Sequence, residues 1–334
     1  MSEQKTRLTA SEITALWSAY QNNTMSVCVF TYFLKHTVDL EVRSLLEFSL
    51  ELSKNNFQKV VEILQRENQP IPVGFTDADV NLSAPRLFSE AIYLYYLKNM
   101  SKIALSTYGV ALPTSAHSEV RDFLSKAIAT STELYNKTAD ILLKKGLFIR
   151  TPYISTPHKN DFITKQSYLG GLLKMNPRPL NVIEITHLKA NTETNILGQF
   201  IYTGFSQVAE SKKVRQYLMR GKHIAKKHVK LFTSLLVEDN LPAPMEWDME
   251  VTDSTIPPFS DKLIMFHSSA LIASGISNYA TASAASLRTD IATTYTRISV
   301  EVAQYAMDGT KIMIDNGWLE EPPQNIDRKE LARV

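Results

Sequence analysis

The sequence has little of three things that would indicate familiar chemistry: cysteine, glycine and long apolar runs. Its one cysteine, Cys28, excludes an internal disulfide framework and a cysteine-based zinc cluster, and its apolar neighbours predict a buried side chain. The 11 glycines form no phosphate-binding loop of either common type. No apolar stretch approaches the roughly 18 residues that a membrane-spanning helix needs, so no membrane association is expected.

An excess of charge of either sign is also missing. The 36 lysines and arginines against 34 acidic residues give a net charge of +2, too small to favour nucleic acid as a partner. Hydrophobic residues at 44% and charged residues at 21% are typical of a globular chain. The N-terminal stretch MSEQKTRLTASE has no apolar h-region, so we expect no secretory signal and a cytoplasmic location.

The chain matches itself at a nearly constant offset, which predicts two copies of one unit. At a shift of 172 residues, Glu12-Ile13-Thr14 aligns with Glu184-Ile185-Thr186, and Pro70-Ile71-Pro72 aligns with Pro242-Ala243-Pro244. A shift of 171 residues aligns three further pairs: Tyr108 with Tyr279, Gly146 with Gly317, and Pro152 with Pro323. So many matches at one offset indicate an internal duplication.

Within each unit, apolar residues recur at three- and four-residue steps, so the fold is expected to be all-α. Strand-like alternation is absent over any useful length. Proline and glycine divide the first unit into four helices. The predicted breaks are as follows: Pro70 and Pro72 end the second helix, Pro85 opens the third, Pro113 precedes the fourth, and Gly146 ends it.

The connections predict the topology of each unit. Helices one and two are joined by a short turn at 36–39, whereas 69–83 and its counterpart 242–257 lack helical pattern and are long enough to run the height of a bundle. A short, a long and a short connection indicate a ferritin-like four-helix bundle with a crossover between helices two and three. We therefore predict one bundle at 1–150, a proline-rich linker at 151–179 with a short helix at 162–173, and a second bundle at 180–334.

Four segments carry a resemblance to a known family: GFTDADVNLSAPRLFS, ELYNKTADILLKKGLFIRTPYI, RPLNVIEITHLKAN and EVTDSTIPPFSDKL. The chain resembles, over essentially its whole length, a family of uncharacterised tandem ferritin-like proteins from spore-forming bacilli. That family is distantly similar to the spore coat protein F group. The resemblance implies a fold and a bacterial host lineage, and it implies no particular reaction.

Glu184 and His187 lie three residues apart on a predicted helix, the spacing with which di-iron bundles bind metal. A second interpretation is a capping box, in which Asn181 starts the helix and Glu184 bonds back to it. Thr9 and Glu12 repeat that pattern at the matched position of the first unit. Because the repeat explains both glutamates at helix starts, capping is the favoured interpretation.

One metal site is still conceivable in the second unit. A rise of 1.5 Å per residue on antiparallel helices places His228 level with Asn191, about one turn from His187, and with Tyr279 and either Arg297 or Glu301. His187, His228 and Glu301 could then bind one divalent ion, such as iron, manganese or zinc. The alternative is a buried polar network without metal, which the first unit favours because it lacks equivalents of all three residues. No other cofactor is indicated.

Other histidines have simpler interpretations. His267 corresponds to Tyr96 and is expected to pack like an aromatic side chain, while His223 is expected at the surface. Three further histidines lie in turn or linker contexts and are expected to be exposed: His36, His117 and His158.

Two functions from different classes fit this sequence. The first is a non-catalytic structural or interaction protein linked to sporulation or stress, with a protein partner or self-association. Tyr93, Tyr95 and Tyr96 would serve such an interface, although the two bundles could equally use them to pack on each other. The second is a degenerate ferritin-like metal protein with its site in the second unit. No catalytic residue is identified, so an enzyme is not expected.

Overall fold

The computed structural model describes residues 7–170, 177–244 and 250–331. Eight long α-helices and one short one account for most of this part of the chain. Their bounds are α1 Ala10–Lys35, α2 Leu40–Arg66, α3 Glu90–Ala111, α4 Ser118–Lys144, α5 Val182–Val208, α6 Lys212–Glu238, α7 Asp261–Ala285, α8 Thr289–Asp315 and α9 Arg328–Leu331. Within the described residues, β-structure is limited to two isolated bridges, so the all-α prediction is confirmed.

Side-chain caps explain where most of the long helices begin. The hydroxyl, carboxylate or amide oxygen of each capping residue accepts from a backbone N–H of the first turn, which would otherwise lack a partner. These residues are Thr9, Asp39, Asn181, Ser211 and Ser260. At the other end of α4, Gly146 has φ +69° and Gly317 has φ +65° after α8, a conformation in which glycine avoids the strain of a Cβ. The predicted stop at Gly146 is confirmed.

Each half of the chain repeats one packing pattern. In the first half, α1 packs on α2, α3 packs on α4, and the pairs meet where α2 contacts α4 and α1 contacts α3. The second half pairs α5 with α6 and α7 with α8, joined through α6 with α8 and α5 with α7. The turns within pairs are short, and the connection between the pairs is long, as the sequence predicts.

The two long connections pair with each other. Val80 forms an antiparallel bridge with Phe259, and Phe88 forms one with Val251. Val80 and Val251 are equivalent positions of the repeat, and so are Phe88 and Phe259. In each half, therefore, the valine bridges to the phenylalanine of the other half. This reciprocal contact is the pattern of a two-fold symmetric interface, here within one chain.

Backbone hydrogen bonds extend this contact on both sides. They satisfy polar groups in segments that have no helix of their own to supply partners. The four bonds are Asn81 N to Pro258 O at 2.8 Å, Ser89 N to Glu250 O at 3.0 Å, Thr252 N to Leu87 O at 2.9 Å and Ser260 N to Asp79 O at 3.0 Å. The two halves are thus joined through their main chains as well as through side chains.

The hydrophobic core runs through both halves. A single cluster of buried side chains includes residues of all eight long helices, and a smaller cluster fills the far end of the first half. At the boundary, the ring of Tyr96 stacks on that of His267 at 5.3 Å between centroids, and the Tyr96 hydroxyl lies 2.8 Å from His267 Nε2. Phe33 and Phe205, also equivalent in the repeat, meet these two rings edge-on at 5.4 Å.

Several local predictions need correction. Of the two interpretations given for Tyr93, Tyr95 and Tyr96, the partner surface is wrong and packing inside the chain is confirmed, because all three are buried. Pro85 does not open α3, because the residues after it stay extended in the bridge to the second half, and α3 begins only at Glu90. His117 is buried against Glu67, with Nε2 at 3.7 Å from the carboxylate, because the start of α4 folds back on the end of α2.

The connecting segment between the halves is largely exposed. Of the helix predicted at 162–173, the structure has a single 3-10 turn, Gln166–Leu169, and 171–173 lie outside the described residues. His158 is exposed in this segment, as predicted. Throughout the described ranges, each helix falls short of the combined length and hydropathy that a bilayer span requires.

Candidate functional site

Glu12 and Glu184 are helix caps, as the repeat predicts. Both capping boxes are complete, with the glutamate carboxylate accepting from the backbone N–H of Thr9 or Asn181. Each glutamate also does something the sequence did not reveal, because its second oxygen reaches the start of the fourth helix of its half. Glu12 Oε1 accepts from the backbone N–H groups of Ala116 and His117, both at 2.6 Å.

Glu184 has the stronger set of partners. Its Oε1 accepts from the backbone N–H of Arg288 at 2.9 Å, and Arg178 holds both carboxylate oxygens at 2.8 and 2.9 Å. Burial alone would raise the pKa of Glu184, but the hydrogen bonds from Arg178, Asn181 and Arg288 outweigh it and lower that pKa. Glu184 is therefore an ionised structural residue, which leaves His187 without the partner of a Glu-x-x-His pair.

An asparagine–tyrosine pair occupies mid-height in both halves. In the first half, Asn23 Nδ2 on α1 donates to the hydroxyl of Tyr108 on α3 at 3.1 Å. In the second half, Asn195 Nδ2 on α5 lies 2.8 Å from the hydroxyl of Tyr279 on α7. These four residues are equivalent in the repeat, so the pair is a shared feature of the two halves.

The second helix of each half, α2 or α6, adds a residue that differs between the halves. Asn56 on α2 donates to Asn23 Oδ1 at 3.3 Å, whereas His228, its equivalent on α6, places Nδ1 3.0 Å from the Tyr279 hydroxyl. His228 Nε2 also lies 3.3 Å from Glu301 Oε2 on α8. The second half thus has a network that runs from Asn195 through Tyr279 and His228 to Glu301.

The electrostatics of His228 favour the neutral ring. Burial lowers its pKa; Glu301 opposes this, while Lys227 and Arg297 lower the pKa further. Glu301 is only partly buried, and its two oxygens lie 2.6 and 2.7 Å from the ammonium of Lys227. Burial would raise the pKa of Glu301, but Lys227 and His228 outweigh it, so the carboxylate is charged and already paired with a cation.

Of the three residues predicted for a metal site, the structure joins two. His228 and Glu301 are in contact, and the predicted levels of Tyr279 and Glu301 beside His228 are confirmed. His187 is half-buried on α5 and burial lowers its pKa, but it does not join the pair. Across 7–170, 177–244 and 250–331, no three His, Cys, Asp or Glu side chains are grouped so as to hold a metal ion.

A small cavity lies beside the network in each half. The one in the second half measures about 70 Å³ and is lined by His228, Asn195 and Tyr279 among others. Its counterpart in the first half measures about 100 Å³ and is lined by Asn23, Asn56 and several serines. Both are far below the roughly 300–1,000 Å³ of organic-ligand pockets, so they suit water molecules or a small ion.

Nucleophilic chemistry at Cys28 is disfavoured. The side chain is buried on α1, and burial, together with Asp79 and Asp77, raises the pKa of the thiol to about 12. Since the thiolate is the reactive form, this cysteine is inert at neutral pH. The predicted buried position of Cys28 is confirmed.

Sequence reasoning missed a cluster of charged residues between the halves. Lys98 and Lys102 on α3 meet Lys189 and Glu193 on α5 around a cavity of about 400 Å³. No motif identifies these residues, because they lie on two helices from different halves. Comparison of the two repeats could have singled them out, since none of the four has a charged equivalent in the other half.

Comparison with known proteins places the chain in a family. The sequence profile described as "Protein of unknown function (DUF3231)" matches twice, at residues 1–159 and 171–331. A crystal structure described as a "putative spore coat protein (BH2358)" from Bacillus halodurans C-125 is 21% identical, with a TM-score of 0.41, and its match covers 45% of this chain and 98% of that one. No curated protein matches. The chain belongs to the DUF3231 family and contains two copies of its characteristic unit.

Proposed function

We propose that this chain is a non-catalytic structural or interaction protein, built from two ferritin-like four-helix bundles and linked to sporulation or stress in a bacterial host. The order of short, long and short connections in each half supports the bundle topology. The predicted division at 1–150, 151–179 and 180–334 is part of this proposal. We also propose a cytoplasmic or spore-associated location.

The observation that carries the proposal is that the polar side chains halfway along each set of four helices hydrogen-bond to one another. At the level where ferritin-like proteins place their metal ligands, Asn23, Asn56 and Tyr108 bond to one another in the first half. Asn195, Tyr279 and His228 do so in the second half. Mutually satisfied buried polar groups rigidify a core, which supports a scaffold role.

The exposed connecting segment supports an interaction role. Tyr153 and Phe162 are 84% and 94% exposed, and Ile154 and Ile163 are also exposed nearby. Large apolar side chains that share a short exposed segment are typical of sites that bind another protein. This segment replaces Tyr93, Tyr95 and Tyr96 as the surface proposed for a protein partner or for self-association.

Localisation in a sporulating bacillus tests the proposed role. We expect a fluorescent fusion of the full chain to concentrate at the developing spore, and the double variant Tyr153→Ser, Phe162→Ser to stay diffuse. The matched control is Val38→Ser, which removes a side chain that is 81% exposed elsewhere. A diffuse signal for the unaltered chain throughout growth and sporulation would count against the spore-associated location and the link to sporulation.

The second candidate, a degenerate metal-binding protein, is supported by the contact between His228 and Glu301. The donor set fits a metal only in part, since it offers one imidazole and one carboxylate, and Lys227 holds both oxygens of that carboxylate. Elemental analysis of untagged protein separates the candidates. Stoichiometric iron, manganese or zinc that disappears in His228→Ala would favour the metal protein, and we expect metal content to be low and unchanged by that substitution.

A further inference from the structure

A cavity of about 400 Å³ lies where α3 of the first half meets α5 of the second. Its volume falls within the range of small-molecule sites, unlike the two cavities inside the halves. Three lysines and one glutamate line it, Lys98, Lys102, Lys189 and Glu193, so the four charged groups have a net charge of +2. The surplus is positive and lies between two packed helices.

The single carboxylate serves two of the three lysines. Lys98 and Lys189 both pair with Glu193, the latter at 2.7 Å. Lys102 Nζ donates to the hydroxyl of Thr194 at 3.1 Å, and within the described residues no carboxylate lies at ion-pair distance from it. Burial lowers the pKa of Lys102; Glu193 opposes this, and Lys98 and Lys189 lower the pKa further. Lys102 is half-buried, and an ammonium that is partly removed from water without a carboxylate is unfavourable, so an added anion would stabilise it.

A second polar group points to a missing partner. Asn99 lines the same cavity, is only 7% exposed, and has no hydrogen-bond partner for its Nδ2. A buried amide N–H₂ without an acceptor is costly, and an anionic oxygen would satisfy it. Three aromatic rings also line the cavity, those of Tyr95, Tyr135 and Phe148.

The equivalent sequence positions in the other half carry none of these charges. Lys98 and Lys102 correspond to Ser269 and Ala273, while Lys189 and Glu193 correspond to Trp17 and Gln21. The four charges are therefore not part of what the two repeats share. The charged set is a property of this one cavity.

We propose that the cavity between α3 and α5 binds a small organic acid, with its carboxylate or phosphate group at Lys102, Lys98 and Asn99 and its apolar body against the aromatic rings. A lysine ammonium group binds either anion as a point charge, so its geometry does not discriminate between a carboxylate and a phosphate. The aromatic lining selects an acid that carries a ring or a short alkyl chain over an inorganic ion.

Calorimetric titration of the full chain tests this, with phenyl phosphate and phenylacetate as the two anionic probes. Benzyl alcohol serves as the neutral analogue and inorganic phosphate as the anion without a ring. We expect at least one aromatic anion to bind, and the stronger of the two identifies the acid group. Benzyl alcohol is expected not to bind, and inorganic phosphate to bind at least tenfold more weakly.

Variants distinguish this site from general attraction to a cationic surface. Lys102→Met is expected to weaken binding at least tenfold while its melting temperature without ligand stays the same or rises, since a half-buried charge without a carboxylate is removed. Lys144→Met, which removes an exposed lysine paired with Glu41, is the matched control and should bind as the parent does. Glu193→Gln removes the competing carboxylate and should bind severalfold more tightly.

Two results would overturn the proposal. One is the absence of binding by either aromatic anion up to about 10 mM, which corresponds to less than about 3 kcal/mol of affinity. The other is binding that Lys102→Met leaves unchanged in a variant whose circular dichroism matches that of the parent.

Discussion

At the scale of single residues, the buried carboxylates of Glu12 and Glu184 connect two helices each. One oxygen caps the helix on which the glutamate lies, and the other accepts from the backbone at the start of the fourth helix of the same half. A buried charge is tolerated here because several N–H groups point at it. The same side chain thereby fixes the start of one helix and the position of another.

Removing the charge of Glu184 tests this double role. Glu184→Gln leaves Arg178 without its bidentate partner, and we expect the free energy of unfolding at pH 7 to fall by about 3–5 kcal/mol. Glu12→Gln, whose partners are backbone N–H groups and a threonine, should cost about 1–3 kcal/mol. Urea denaturation at pH 7 measures both. Equal losses in the two variants would show that Arg178 adds nothing.

Acid should remove the stabilisation that the ionised carboxylates of Glu12 and Glu184 provide. Folding lowers the pKa of Glu12 and that of Glu184 below their ordinary value of 4.5. The two carboxylates therefore stabilise the folded chain fully when the pH is above 4.5, and this stabilisation is lost as the pH falls through the folded pKa. The difference between Glu184→Gln and the parent protein should therefore shrink as pH falls below about 4.5. A difference that stays constant over this range of pH would contradict ionisation of Glu184.

At the scale of elements, helix α5 of the second half comes close to the first half at a glycine. A Cβ built on Gly204 would lie 2.4 Å from the ring of Phe88, which belongs to the first half's long connection. Phe88 is fully buried and packs on Phe205, so it cannot move aside easily. The equivalent of Gly204 in the first half is Tyr32, whose ring packs edge-on against Phe259 at 5.1 Å. One contact thus uses a ring where the other uses the bare helix backbone.

Adding one methyl group at this contact should destabilise the chain. Gly204→Ala gains helix propensity, yet the clash with Phe88 outweighs it, and we expect a net loss of about 1–2 kcal/mol in the free energy of unfolding. Gly198→Ala on the same helix meets no atom within 4 Å and should gain about 0.5–1 kcal/mol. Thermal denaturation of the pair gives the comparison, and a stabilised Gly204→Ala would refute the close approach.

At the scale of the whole molecule, two equivalent positions meet each other at the boundary between the halves. Tyr96 and His267 stack and share a hydrogen bond, so the duplicated unit has different residues where it contacts itself. Burial lowers the pKa of His267 to about 4. The contact between the halves therefore contains a ring that must stay neutral.

This makes the assembly of the halves sensitive to mild acid. The folded pKa of His267 is below its ordinary value of 6.5, so the unfolded chain takes up the proton first and stability falls as pH drops from 6.5 towards 4. His267→Phe keeps a flat ring and removes the titration. We expect it to lose about 1–3 kcal/mol at pH 7, because the Tyr96 hydroxyl loses its partner.

The pH dependence gives the sharper measurement. Between pH 7 and pH 5 the parent should lose about 2 kcal/mol through His267, a loss that His267→Phe should not show. Chemical denaturation at both values measures the difference between the two proteins. Parallel losses would show that His267 is not the group responsible.

Local pattern was sufficient for some of the candidate site. The level of His228 beside Tyr279 and Glu301 follows from a fixed rise per residue on helices joined by short turns, and the structure confirms both contacts. The capping roles of Glu12 and Glu184 follow from a short motif that appears twice. By contrast, the burial of Tyr93, Tyr95 and Tyr96 depends on what packs over α3, which no local pattern reports.

By itself, the sequence determined the all-α class, the duplication and most of the helix ends, because these depend on residues a few positions apart or on an offset that can be counted. Only the tertiary structure decided how the halves join. The pairing of the long connections, the stack of Tyr96 on His267 and the lysines around the cavity between α3 and α5 bring together residues more than 80 positions apart. Such contacts arise from the burial of faces that neither repeat can cover alone, and periodicity within one repeat carries no information about them.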